Sequence, residues 1–181
     1  MTFKYRWFDD IRSDMELWVP RDTKTVVEIG SFEGLSTRFF FDHCDHLRSL
    51  IAVDHFDGGE DQQELDIDRL YERFQENTFD YRHRITVLKG RSEDMLCKLQ
   101  SSEYDLVFVD GSHLAPDVLS DAVHAYRLCR NGGRIVFDDY SWGPDRDDRP
   151  QVAIDAFSSV FVGKVTELFQ SRIAVFEVSK P

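Results

Sequence analysis

Three aspartates fall where apolar runs end. Asp110 closes Tyr104-Asp105-Leu106-Val107-Phe108-Val109, and Asp138 and Asp139 close Arg134-Ile135-Val136-Phe137. Carboxylates gathered at neighbouring strand ends repel one another and resist desolvation, so the arrangement is costly unless a cation offsets it. Hard oxygen donors in this number suit Mg²⁺, which keeps waters or substrate oxygens in its remaining positions. The competing reading makes Asp110 a helix cap and leaves Asp138 and Asp139 in a solvated loop. Three acids at adjacent strand ends favour the metal. His113 follows Asp110 by three residues, and an imidazole, with an ordinary pKa of about 6.5, can serve as a general base. At the start of a helix it could equally pack or cap.

A second constellation is Glu28-Ile29-Gly30-Ser31-Phe32-Glu33-Gly34-Leu35-Ser36-Thr37. A glycine turn between strand and helix lets a ligand approach the backbone closely, at the helix end that favours negative charge. The dinucleotide fingerprint needs glycine at position 32; phenylalanine there leaves less room for a pyrophosphate. Asp54 ends the next apolar run, 24 residues after Gly30, and an acid at about that distance can take two hydrogen bonds from ribose hydroxyls. Gly90-Arg91-Ser92-Glu93 follows the third apolar run, with Ser92 also suited to cap a helix. His43-Cys44-Asp45-His46 invites a zinc reading but has no matching second pair, so it reads as structural.

The elements that must position these groups alternate between short apolar runs and 3.6-period segments, the pattern of a parallel sheet covered on both faces. Strands are expected at Thr25–Ile29, Leu50–Asp54, Ile85–Leu88, Tyr104–Val109 and Arg134–Phe137. Helix faces are read at Leu35, Phe39, Phe40 and Leu47, at Leu65, Leu70, Tyr71, Phe74 and Thr78, and at Met95, Leu96 and Leu99. A longer stripe runs through Val118, Leu119, Ala122, Val123, Tyr126 and Cys129 and stops at Asn131-Gly132-Gly133, since glycine suits a left-handed cap. Pro150 opens a last helix through Val152, Ala156, Phe157 and Val160. Lys164–Phe169 and Arg172–Val178 are close enough in sequence to pair only as an antiparallel hairpin. The expected fold is α/β, doubly wound and Rossmann-like, with a mainly parallel seven-stranded sheet ending in an antiparallel C-terminal hairpin strand. In such sheets ligands bind beyond the carboxyl ends of the strands.

The glycine turn resembles motif I of class I methyltransferases. The segments around Asp110 and Asp138-Asp139 resemble the metal-dependent small-molecule O-methyltransferases, most closely the macrocin O-methyltransferase branch, with catechol O-methyltransferase a more distant cousin. The likeness runs from about Val26 to the C-terminus. It implies S-adenosyl-L-methionine as cofactor, with the methionyl part held by Glu28, Gly30, Ser31, Phe32, Gly34 and Ser36. Glu28 would lie near the cofactor's positive end, and Asp54 and His55 would take the ribose. Arg91, Ser92 and Glu93 would border the adenine, beside Asp110. It also implies Mg²⁺ on Asp110, Asp138 and Asp139, with His113 and Asp110 as catalytic groups acting on a hydroxyl of a sugar, a glycosylated metabolite or a catechol-like ring. At the His113 position the catechol enzyme has lysine.

The 181 residues read as one domain, with a short helical extension over 1–24 and a cofactor-binding and catalytic core over 25–181. Hydrophobic residues make up 41%, which suits a globular chain. A net charge of −12 would repel a duplex, so nucleic acid is a poor substrate. The three cysteines read as reduced packing residues. No signal peptide or membrane-length apolar run is evident, so a soluble, cytoplasmic protein without a membrane partner is expected. Trp7, Ile11, Met15 and Trp18 would share one helical face, available to the core, to a lid or to a homo-oligomer contact. Two rivals remain: an NAD-dependent oxidoreductase on a similar fold, and a non-catalytic adenosylmethionine-binding module, as in a fragment of a longer enzyme.

Overall fold

The structure, a computed structural model, describes residues 2–59 and 65–181. A 3-10 turn at Trp7–Asp10 leads into α1 (Arg12–Trp18). Then follow β1 (Thr25–Ile29), α2 (Leu35–His43), β2 (Ser49–Asp54), α3 (Leu70–Asn77), β3 (Ile85–Lys89), α4 (Ser92–Leu96) and β4 (Tyr104–Val109). The chain finishes with α5 (Ala115–Leu128), β5 (Cys129–Phe137), α6 (Pro150–Val160), β6 (Val165–Gln170) and β7 (Ala174–Val178).

These strands form a seven-stranded sheet in the order β3-β2-β1-β4-β5-β7-β6. β3 to β5 are parallel, and β7 lies antiparallel between β5 and β6. Successive strand residues point to opposite faces, so each face carries its own core. Val26, Leu106 and Phe108 pack with Met15, Phe40 and Phe74 on one side. Val27, Val107 and Val109 pack with Ala122, Leu128 and Phe157 on the other. Both faces are covered, which is why the inner strands are apolar along their length. The strand order reverses between β1 and β4, and ligand crevices form at such points.

Several local expectations are corrected. Asn131-Gly132-Gly133 does not cap α5. The helix ends at Leu128, and these residues belong to β5, where the pairing with β4 jumps from Tyr104↔Cys129 to Leu106↔Arg134. The glycines serve that irregularity: Gly132 has φ +68°, and a Cβ on Gly133 would lie 2.6 Å from Cys129 Sγ and 2.9 Å from the Asp105 carbonyl oxygen. Cys129 is therefore a strand residue, and Leu119 and Val123 face outward from α5. On α6 the buried stripe is Ala153, Ile154 and Phe157, while Val152 and Val160 are exposed. Leu47, Leu65 and Leu99 lie outside α2, α3 and α4. The expected N-terminal face is split. Ile11 and Met15 are core residues, Trp18 stacks on Phe169 at 5.3 Å, and Trp7 is exposed. His43 is buried and its Nε2 lies 2.9 Å from the Val19 carbonyl oxygen, in keeping with a structural role. Among the described residues no helix is long and apolar enough to cross a membrane.

Candidate active site

A cleft of about 970 Å³ opens beyond the carboxyl ends of β1, β2, β3, β4 and β5. At its centre the strand ends are stitched together by backbone bonds. Gly30 N–H donates to Val53 O (2.9 Å), Asp110 N–H to Ile29 O (2.8 Å) and Asp138 N–H to Val109 O (3.0 Å). The chain then turns sharply. Gly30 has φ +83°, and a Cβ there would come within 1.9 Å of the Asp110 carbonyl oxygen, so only glycine lets β1 and β4 close together at this point. Phe32 takes a left-handed φ of +46°, and Gly34, at φ +83°, starts α2. Left-handed backbone in a bulky residue is a strain that the surroundings must hold in place.

Three acids hold it. Asp54 Oδ2 accepts the Ser31 and Phe32 N–H groups, both at 2.8 Å, and Oδ1 accepts Phe56 N–H at 2.6 Å. A carboxylate offers about four acceptor sites, so one remains open on Oδ1. Glu28 lies wholly buried beneath the turn and accepts the hydroxyls of Ser31 (2.8 Å), Ser36 (2.6 Å) and Thr37 (2.5 Å). Burial pushes its carboxyl up to about 7 against the pull of those hydroxyls. Glu33, also buried, accepts the Lys4 and Tyr5 N–H groups on Oε2 and Arg73 Nε on Oε1 at 2.8 Å. It ties the glycine turn to the N-terminal segment and to α3.

The cofactor positions expected from the sequence mostly reach the cleft. Gly30, Ser31, Phe32 and Ser36 line it at one end, Asp54 and His55 beside them, and Arg91, Ser92 and Glu93 on the β3 side. Glu28 and Gly34 do not line it: both act from behind, Glu28 through hydroxyls and Gly34 by packing against Thr78 and Phe74. Ser92 does not cap α4 but hydrogen-bonds Asp121, a buried α5 acid whose carboxyl is pushed up to about 7 chiefly by desolvation. Asp121 Oδ1 has no hydrogen-bond partner among the described residues. The cleft volume, the close backbone and this orphaned oxygen fit a polar ligand of nucleoside size.

At the other end, Asp110, Asp138 and Asp139 each bring one carboxylate oxygen to within 4.8 Å of the others. Desolvation, then repulsion from Asp138 and Asp139, holds the Asp110 carboxyl well above the usual range. Asp138 is pushed to about 7, mainly by desolvation and then by Asp139. Hard carboxylate oxygens crowded together in this way form a donor set that fits a divalent cation. The capping alternative for Asp110 fails, because α5 begins five residues later, at Ala115, with Leu114 as its N-cap. Asp139 has φ +57°, and its Oδ2 lies 2.7 Å from His113 Nε2. The His113 ring sits 4.4 Å from that of Trp142.

Sequence reasoning missed Glu33, Asp121 and Arg172, which also line the cleft. Nothing local marks them, since each gains its position from a distant partner.

A doubly wound α/β sheet with an acid-rimmed cleft at its reversal point defines the class of protein. Residues 27–140 match the family model described as "Methyltransferase domain", and the chain belongs to that family. The chain is 29% identical over 134 residues to uncharacterized protein R132 of Acanthamoeba polyphaga mimivirus, covering 68% of this chain and 56% of that protein. It thus spans little more than half the length of that relative. Among solved structures it resembles the O-methyltransferase TomG of Streptomyces achromogenes, involved in tomaymycin synthesis and in complex with SAM. That match has a TM-score of 0.70 and 21% identity over 94% of this chain and 78% of TomG. It also resembles an O-methyltransferase from Bacillus cereus in complex with SAH, with a TM-score of 0.70 and 14% identity over 99% of this chain and 84% of that one.

Proposed function

We propose that the protein transfers the methyl group of S-adenosylmethionine to a hydroxyl oxygen of a small molecule, with Mg²⁺ held by Asp110, Asp138 and Asp139. The observation that carries this reading is the convergence of those carboxylates in the wall of the same cleft as the glycine turn. The SAM and SAH named with TomG and the Bacillus cereus enzyme support the cofactor. Bound adenosylmethionine supplies an electrophilic methyl group. Bound Mg²⁺ supplies positive charge that lowers the pKa of a hydroxyl set against it.

The chain's own residues do the rest. Asp54 fixes the Ser31 and Phe32 backbone and keeps one acceptor site for the ribose. Ser92 and Glu93 border the nucleobase. His113 takes the proton of the acceptor hydroxyl, with Asp139 orienting its ring. Alignment of the acceptor with the methyl group is then a matter of proximity.

Calorimetry with S-adenosylhomocysteine and with NAD tests the cofactor; tight NAD binding with no response to the homocysteine compound would sink it. For the metal, Asp138→Ala is expected to abolish turnover yet leave S-adenosylhomocysteine binding nearly intact. Full activity in excess chelator refutes the metal.

A further inference from the structure

Among the described residues, ten acidic side chains line the cleft against three arginines, Arg91, Arg146 and Arg172. Such a wall repels an anion unless a cation is placed to receive it. Arg91 pairs with Glu93 on the nucleobase side at 3.2 Å. Arg146 is clamped by both oxygens of Asp148, at 2.9 and 2.8 Å, with its guanidinium 5.4 Å from the Trp142 ring centre. Arg172 is held differently. Its carbonyl oxygen accepts Tyr140 N–H at 2.8 Å, which fixes its backbone one residue from Asp139. Its guanidinium has one contact with Asp10, Nη2 to Oδ2 at 3.3 Å, and both side chains are more than half exposed. An exposed single-contact pair is worth little, so Arg172 can exchange Asp10 for a better acceptor at small cost. Asp10 belongs to the same 3-10 turn as Trp7, whose half-exposed ring stacks on Tyr5 at 5.0 Å and also lines the cleft.

We propose that the acceptor is an anionic hydroxylated molecule whose carboxylate is received by Arg172, so that Arg172 sets specificity at the metal end of the cleft. This rests on the methyltransferase reading above. A guanidinium matches a carboxylate with two parallel N–H donors, which Asp10 in its present geometry does not exploit. The exposed Trp7 ring offers a flat apolar surface in the wall of the same cleft, which suits a planar probe.

The test compares 3,4-dihydroxybenzoate with the uncharged 3,4-dihydroxybenzamide. Each is titrated into the protein with saturating S-adenosylhomocysteine and Mg²⁺ at low salt, and tryptophan fluorescence is read. The acid is expected to bind about tenfold more tightly than the amide, and Arg172→Gln to narrow that ratio to about threefold or less. Arg172→Lys, which keeps the charge, should retain most of the preference. Asp10→Asn, which removes the competing carboxylate and spares Arg172, should tighten binding of the acid. Equal affinities for acid and amide overturn the proposal, as does a preference that survives Arg172→Gln, or failure of both probes to bind. Calorimetry of S-adenosylhomocysteine on the same samples reads separately whether the methyltransferase reading has fallen with it.

Discussion

Replacing Glu28 with glutamine should change how stability depends on pH. Glu28 titrates near 7 in the folded protein against 4.5 in an open chain, because the buried carboxylate is poorly solvated even with three hydroxyl donors. The folded state therefore holds a proton that the unfolded state has released over roughly pH 4.5 to 7. A raised acid of this kind gives a stabilisation that is complete below 4.5 and lost as pH rises through 7. With those two values, the loss between pH 5 and 8 is about 2.5 kcal/mol, from a full span of about 3.4 kcal/mol. Glutamine does not titrate and costs a fixed amount for its altered hydrogen bonds. Urea unfolding of wild type and Glu28→Gln at pH 5, 6, 7 and 8 reads the effect, since groups remote from Glu28 cancel in the difference. The gap should move against wild type by about 2.5 kcal/mol across the series, and most steeply from 5 to 7. A gap constant within about 0.5 kcal/mol would mean that Glu28 stays ionised throughout, and the burial argument would be wrong.

Three further outcomes follow from the cleft. Gly30→Ala forces a Cβ to within 1.9 Å of the Asp110 carbonyl oxygen at φ +83°; it should cost more than about 2 kcal/mol in unfolding experiments, and near-wild-type stability would refute the close packing of β1 on β4. Asp54→Ala orphans the Ser31 and Phe32 N–H groups and should weaken S-adenosylhomocysteine binding by about tenfold or more in calorimetry; unchanged affinity would show that the turn holds itself. His113→Ala should lower kcat by a factor of about 10² to 10⁴ with little change in cofactor affinity; wild-type kcat with an unchanged pH–rate profile would leave activation to the metal alone.

What could be read directly from the sequence was what repeats. The apolar runs of Val26, Val107 and Ile135 mark buried strands because both sheet faces are covered, and polar residues then mark the strand ends. That logic located Asp54, Asp110, Asp138 and Asp139 on one rim. Positions decided across the chain were not legible. Asn131-Gly132-Gly133 obeys the local rule for a helix stop, but the packing of Gly133 against Cys129 and the Asp105 carbonyl outweighs it. Glu28 has the spacing of a ligand-facing acid, yet Ser31, Ser36 and Thr37 draw it beneath the turn, and no period in the sequence announces three hydroxyls converging on one carboxylate.

Glu33 limits how this scaffold can be varied. Its buried carboxylate spans three pieces of chain: the glycine turn, the N-terminal segment through Lys4 and Tyr5, and α3 through Arg73. The segment that brings Trp7 and Asp10 to the cleft is thus no detachable accessory. Removing it would leave the interior carboxylate short of two backbone donors, and an unsatisfied buried group costs about 1–3 kcal/mol or more. A replacement segment that again brings two backbone N–H groups to Glu33 Oε2 should fold, whereas truncation of residues 1–6 should lower stability in urea unfolding. The glycine turn and the N-terminal wall of the cleft are in this sense held as one block.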